Sequence, residues 1–222
     1  MPPASQIRMR QQLRDFALRL VICAAILITL GRVFGATLVS PILPALAWEI
    51  EAADDRFHVD QVKIVKRQTD TIIQLKVRPV RALMFGDRVL LPDSSLFFEP
   101  SILVGSVLQP VILFLSIMVA WPTSVPLREM ALRQLLAIPA TLLLLSINIP
   151  LGQIGAMLDY RQYLPNAPVS LIVYWNDFLQ SGGPSAISIA AAALVVSVAH
   201  DWTRARERMR TIDNAEAMPM IS

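Results

Sequence analysis

The sequence predicts an α-helical membrane protein, with four transmembrane helices and a small extracytoplasmic β-hairpin lobe. Three observations carry this expectation. The run FEPSILVGSVLQPVILFLSIMVAW, Phe98 to Trp121, has no charge after Glu99. As a helix rising ~1.5 Å per residue, it is long enough to cross a ~30 Å hydrocarbon core. The 222 residues are 55% hydrophobic and only 17% charged, with a mean hydropathy of +0.53, a balance shifted toward bilayer solvent. Between Glu49 and Glu99 the pattern changes: charges alternate with β-branched residues and no helical apolar stripe persists. A net charge of +3 is mild, and one cysteine excludes an internal disulfide.

Taken in order, residues 1–17 form a basic cytoplasmic lead with Arg8, Arg10 and Arg14. The first transmembrane helix and its interfacial exit occupy 18–48, with the helix itself over Leu18 to Val39 and a Pro-interrupted segment after it. A cleaved signal peptide would need Ala45-Leu46-Ala47 as its site. That triplet lies beyond two prolines and Arg32 from the apolar core, so the helix is expected to be retained. The extracytoplasmic β-rich lobe, 49–99, holds a hairpin: Phe57–Val65 against Thr71–Arg78, with Arg67-Gln68-Thr69-Asp70 as turn. Gly86-Asp87 marks a further turn. So few strands are marginal alone, and the lobe is expected to lean on the bundle or on a partner.

The second transmembrane helix covers 100–121, with Pro100 placed to open it and Gln109-Pro110 inside. A short cytoplasmic loop, 122–134, carries Arg128 and Arg133, and the third span runs over 135–158. An extracytoplasmic loop, 159–184, supplies interfacial aromatics, Tyr160, Tyr163, Tyr174 and Trp175. Its stretch Leu171–Trp175 reads equally as a short strand or an interfacial helix. The fourth span, 185–202, is rich in small residues, and a cytoplasmic tail, 203–222, ends in a disordered stretch. An even number of spans puts the arginine-bearing lead, short loop and tail on one side, which the positive-inside rule makes cytoplasmic. The expected location is a bacterial inner (cytoplasmic) membrane, multi-pass, with both termini inside.

Chemistry is sparse. Cys23 is the one possible thiol nucleophile, and His200 lies on its side of the membrane while His58 does not. With no orienting third group, a packing cysteine is the ordinary reading and no enzyme is expected. Two histidines on opposite sides and one cysteine make no zinc set, so neither metal nor cofactor is expected. Arg204, Arg206, Arg208 and Arg210 suit anionic lipid at a membrane exit better than nucleic acid. The informative residues are polar ones at membrane depth: Arg32, Gln109, Asn148 and Gln153, with Asp159 as an outer acidic partner. Helix rise puts Arg32 ~20 Å, Asn148 ~22 Å and Gln109 ~18 Å from the inner edge. The expectation is one intramembrane polar cluster, with Arg32 turned into the bundle, serving either as helix glue or as a pathway.

Four stretches carry a family resemblance: RLVICAAILITLGRVFGATLVSPILPALAW, VDQVKIVKRQTDTIIQLKV, FFEPSILVGSVLQPVILFLSIMVAWP and LLAIPATLLLLSINIPLGQIGAMLDY. In their order the chain resembles the small polytopic membrane proteins associated with exosortases, especially the exosortase H-associated type of Gram-negative bacteria. Where that family carries Asn-Pro at the second span's entry, this chain has Glu99-Pro100. The resemblance implies a non-catalytic accessory protein that partners an exosortase-like peptidase in protein sorting or envelope export. The alternative is a small transport or lipid-handling protein that uses the intramembrane polar layer.

Overall fold

A computed structural model describes residues 4–85, 88–92, 97–122, 126–159 and 171–216. The Gly86-Asp87 turn, Tyr160 and Tyr163 of the aromatic loop, and the chain end after Glu216 lie outside them. Helix α1, Ala4–Val39, runs through a 3₁₀ turn, Ser40–Ile42, into α2, Leu43–Ala53. The Pro-interrupted exit is therefore helical. Pro41 and Pro44 sit in the first turns of their helices, where a missing N–H leaves nothing unpaired.

Strands β1, Phe57–Arg67, and β2, Asp70–Pro79, form the expected antiparallel hairpin, with Arg67 opposite Asp70 and Gln68-Thr69 between them. Alternation sets the register: Ile73, Leu75 and Val77 of β2 are fully buried on one face. On β1 the inward residues are Phe57 and Val59, then Val62 and Ile64, a change of parity. A bulge between Val59 and Gln61 absorbs it: Asp60 is the extra residue and accepts from Arg78 Nη2 at 3.2 Å. A second hairpin, β3 (Leu83–Phe85) with β4 (Arg88–Leu90), lies beside the first in sequence. At the α2–β1 corner, Glu51 accepts the Val59 N–H at 2.9 Å and faces His58 Nδ1 at 2.7 Å.

The long apolar run starting at Phe98 is not one helix. Ser101–Leu103 forms β5, paired with Ile72–Gln74 on the free edge of β2. Phe98 and Pro100 also bond to that edge: the Leu75 N–H donates to the Pro100 carbonyl, and the Val77 N–H to that of Phe98. Pro100 thus lies inside an extended stretch rather than opening a helix, for it holds Glu99 out of the α region, and the β2 edge beneath it finds its hydrogen-bond partners there. Helix α3 is only Val104–Ala120, ~26 Å long.

Helix α4, Pro126–Leu158, includes most of the stretch expected as a short loop, so 122–134 is largely the first turns of a longer helix. Leu171–Trp175 is helical, within α5, Leu171–Gln180. Helix α6, Gly183–Glu216, runs past the expected end at Trp202, because no Gly or Pro follows Pro184 before Glu216 and the arginines there favour helix. Three helical stretches, Met9–Ala53, Leu127–Leu158 and Gly183–Arg206, are long and apolar enough to cross a membrane, and α3 is a shorter apolar helix.

The helices share two cores. One is built from α3, α4 and α6 around Phe114, Met118, Leu144 and Ala192. The other runs without a break from the sheet (Phe57, Leu75, Val77) through α2 (Leu46, Ile50) to α3 and α4 (Val107, Leu145, Ile149). The lobe leans on the bundle. Helix α1 packs lengthwise on α3, from the Phe16–Trp121 edge-to-face pair (5.6 Å between centroids) to Gly35, where a Cβ would stand 3.1 Å from Val104. Its remaining apolar surface, Ile26 and Val33 included, is exposed.

Candidate functional site

The richest constellation is a cavity of about 410 Å³ among α3, α4, α5 and α6, on the side facing the sheet. Helix α3 brings Ser106 and Gln109 to it, α4 brings Asn148, Gly152 and Gln153, α5 brings Asn176, and the start of α6 brings Pro184 and Ser185. Glycine sets the closeness of the wall. A Cβ on Gly155 would stand 2.6 Å from Asn176 Cβ and 2.9 Å from the Ile172 carbonyl oxygen, so α5 can dock on α4 only across a glycine. Two prolines loosen the walls. Pro110 and Pro150 offer no N–H, which leaves the Ser106 and Ser146 carbonyls without their helical donors.

The amides in this cavity are underused. Both polar side-chain atoms of Asn148 are buried without a partner, and so is Gln153 Oε1, on a residue only 4% exposed. Buried polar groups are ordinarily paired, and each that is not costs about 1–3 kcal/mol. No lining side chain is ionisable. The surroundings are Val107, Pro110, Leu144, Leu145 and Ile149, so the site offers neutral donors and acceptors inside an apolar shell.

Of the predicted cluster, the structure brings Gln109, Asn148 and Gln153 to this cavity. Arg32 is elsewhere. It is exposed on α1 and lines a separate groove of about 720 Å³ between α1 and α3, together with Gln109 and the hairpin turn at Asp70. Arg32 makes no hydrogen bond or ion pair among the described residues. Asp159 is half-buried, one residue past the end of α4. Cys23 is half-buried on α1, and among the described residues no three His, Cys, Asp or Glu side chains converge as a metal set.

A second polar group, unforeseen from sequence, sits at the opposite end. Arg133 and Glu129, both buried, form an ion pair. The Arg133 guanidinium also donates to the Trp121 carbonyl at 2.9 Å and the Pro122 carbonyl at 3.1 Å. His200 of α6 places Nδ1 3.6 Å from Glu129 Oε1. This arrangement ties the end of α3 to α4 and α6, which gives His200 a carboxylate neighbour rather than a thiol. The available signal was the acid placed four residues before the arginine, the favoured order on a helix.

In the lobe, burial pushes the Asp54 carboxyl up, but hydrogen bonds and charge from Arg56 (Nε to Oδ1, 2.8 Å) outweigh it and hold the carboxyl below the usual range. No protein-family model, curated protein or solved structure matches this chain.

Proposed function

We propose that this chain is a non-catalytic integral membrane accessory protein, partnering an exosortase-like peptidase in protein sorting or envelope export. The observation that most supports it is α1, whose most apolar stretch has none of its residues buried within the chain although one face packs on α3. That free surface suits a neighbouring membrane protein. The buried charges, by contrast, are engaged in holding helix ends. Photo-crosslinkers at Ile26 and Val33 should trap a multi-pass peptidase in native membranes; adducts with lipid alone would overturn the reading.

The proposed topology is four crossings of a bacterial inner membrane, with both termini cytoplasmic and the sheet outside. In support, the α1–α3 contact from Phe16–Trp121 to Gly35–Val104 spans ~26–28 Å, close to the hydrocarbon thickness. The α1 lead, the start of α4 and the arginine-bearing end of α6 share one end of the bundle, where Arg204, Arg206 and Arg208 suit anionic lipid. A reporter active only outside the cytoplasm should be silent after Arg210 and active after Thr69. The cavity supports a second reading, in which the protein handles a lipid, because its partnerless amides lie among apolar walls.

A further inference from the structure

We propose that the cavity among α3, α4, α5 and α6 binds the uncharged, hydroxyl- or amide-bearing headgroup of a membrane amphiphile, of which a diacylglycerol is the simplest example. This rests on the lipid-handling reading and specifies its ligand. Asn148 presents a buried donor and a buried acceptor with no partner, and Gln153 presents a buried acceptor. A ligand that satisfies them must both donate and accept, as a hydroxyl or an amide does and a fully ionised phosphate does not.

Charge points the same way. Every lining side chain is apolar or a neutral Ser, Asn or Gln, so an ionised headgroup would enter without a counter-charge. The α1–α3 groove differs on this point, for it carries Arg32 and Asp70. Size argues against water as the sole occupant. About 410 Å³ would take on the order of a dozen waters at ~30 Å³ each, each needing two to four polar partners, yet much of the wall is Val107, Leu144, Leu145 and Ile149. The volume lies in the range of ligand pockets. Access exists, because the lining residues Ser101, Ser106, Gln109 and Gly182 are exposed toward the sheet end.

The test uses the full chain in phosphatidylcholine nanodiscs, with a diazirine-tailed diacylglycerol and a phosphatidic acid bearing the same tail. The expected result is saturable labelling of α4 and α6 lining peptides by the diacylglycerol, competed by unlabelled dioleoylglycerol and not by phosphatidic acid. Gln153→Leu and, separately, Asn148→Leu should weaken labelling about tenfold. Because these amides hold no partner within the chain, the thermal unfolding midpoint should not fall. Gln134→Leu, an exposed amide outside the cavity, should change nothing. Saturable labelling by phosphatidic acid alone would overturn the neutral headgroup and leave lipid handling standing. Labelling by neither probe would end both. Loss of folding in both cavity variants would make the amides structural and also overturn the proposal.

Discussion

Among the described residues Arg133 is the largest fully buried side chain, and its surroundings explain how a charge is held there. The carbonyls just past the end of α3 have no helical donors, and the guanidinium reaches those of Trp121 and Pro122 while it pairs with Glu129. Arg133→Leu should cost about 3–5 kcal/mol, because it removes the guanidinium that pairs with the buried Glu129 carboxylate. The double variant Glu129→Leu/Arg133→Leu should recover most of that loss, as read by thermal unfolding in detergent. A double variant as unstable as Arg133→Leu would show that the carbonyl bonds, not the ion pair, matter. In the sequence, Arg133 reads as a solvated loop charge. Composition cannot distinguish an arginine in water from one under a helix end. Gln68 presents the opposite case. Its place in the hairpin turn is legible, but its φ of +55° is not. A glycine relieves that left-handed strain, so Gln68→Gly should stabilise the sheet by about 0.5–1 kcal/mol in denaturant titration.

At the scale of elements, period-two alternation locates both strands of the hairpin and their register, because one face is buried and a slip of one residue would expose Ile73, Leu75 and Val77 together. Helix ends are less legible. Apolar character alone cannot separate a helix from a strand, so β5 is hidden inside the run that also contains α3. The Gly31-x-x-x-Gly35 spacing in α1 is a plain signal, passed over in the sequence reading, for the face that meets α3. A side chain at Gly35 would meet Leu108 and Val104 at 3.1 Å before any further atoms are added. Gly35→Leu should therefore separate α1 from α3, lowering the yield of a cysteine crosslink engineered between Phe16 and Trp121. An unchanged yield would count against close packing.

The α2–β1 corner has a pH dependence of its own. Asp54 has a lowered folded value, so the stability it contributes is complete above the ordinary aspartate range and is lost as pH falls through that lowered value. Asp54→Asn should lose this stability at neutral pH, by about 1–3 kcal/mol, and should show a flatter acid-unfolding profile by circular dichroism. Equal acid sensitivity in both proteins would place the titration elsewhere.

At the scale of the whole molecule, position along a helix is legible and direction is not. Helix rise places Arg32, Gln109 and Asn148 at similar levels, and the structure does put Gln109 beside both the cavity and the Arg32 groove. Which way each helix is turned depends on its neighbours: the Gly31 and Gly35 spacing marks one face of α1 for close packing, but the polarity of Arg32 does not state that it lies outside the bundle. The sequence shows a polar lobe and apolar spans and leads to the expectation that the lobe leans on the bundle or a partner; one core joins Leu75 of the sheet to Ile50 of α2 and to Val107 and Ile149 of the bundle. That continuity has a thermodynamic consequence. Leu75 is fully buried, so Leu75→Ala should cost about 2–5 kcal/mol. If the lobe were independent, only the sheet would respond. With a shared core, the penalty should reach the helices that close the cavity, so sheet circular dichroism and the accessibility of a cysteine placed at buried Val107 should shift together in one transition. Two separated transitions, with position 107 protected after the sheet has melted, would show that the lobe and the bundle fold apart.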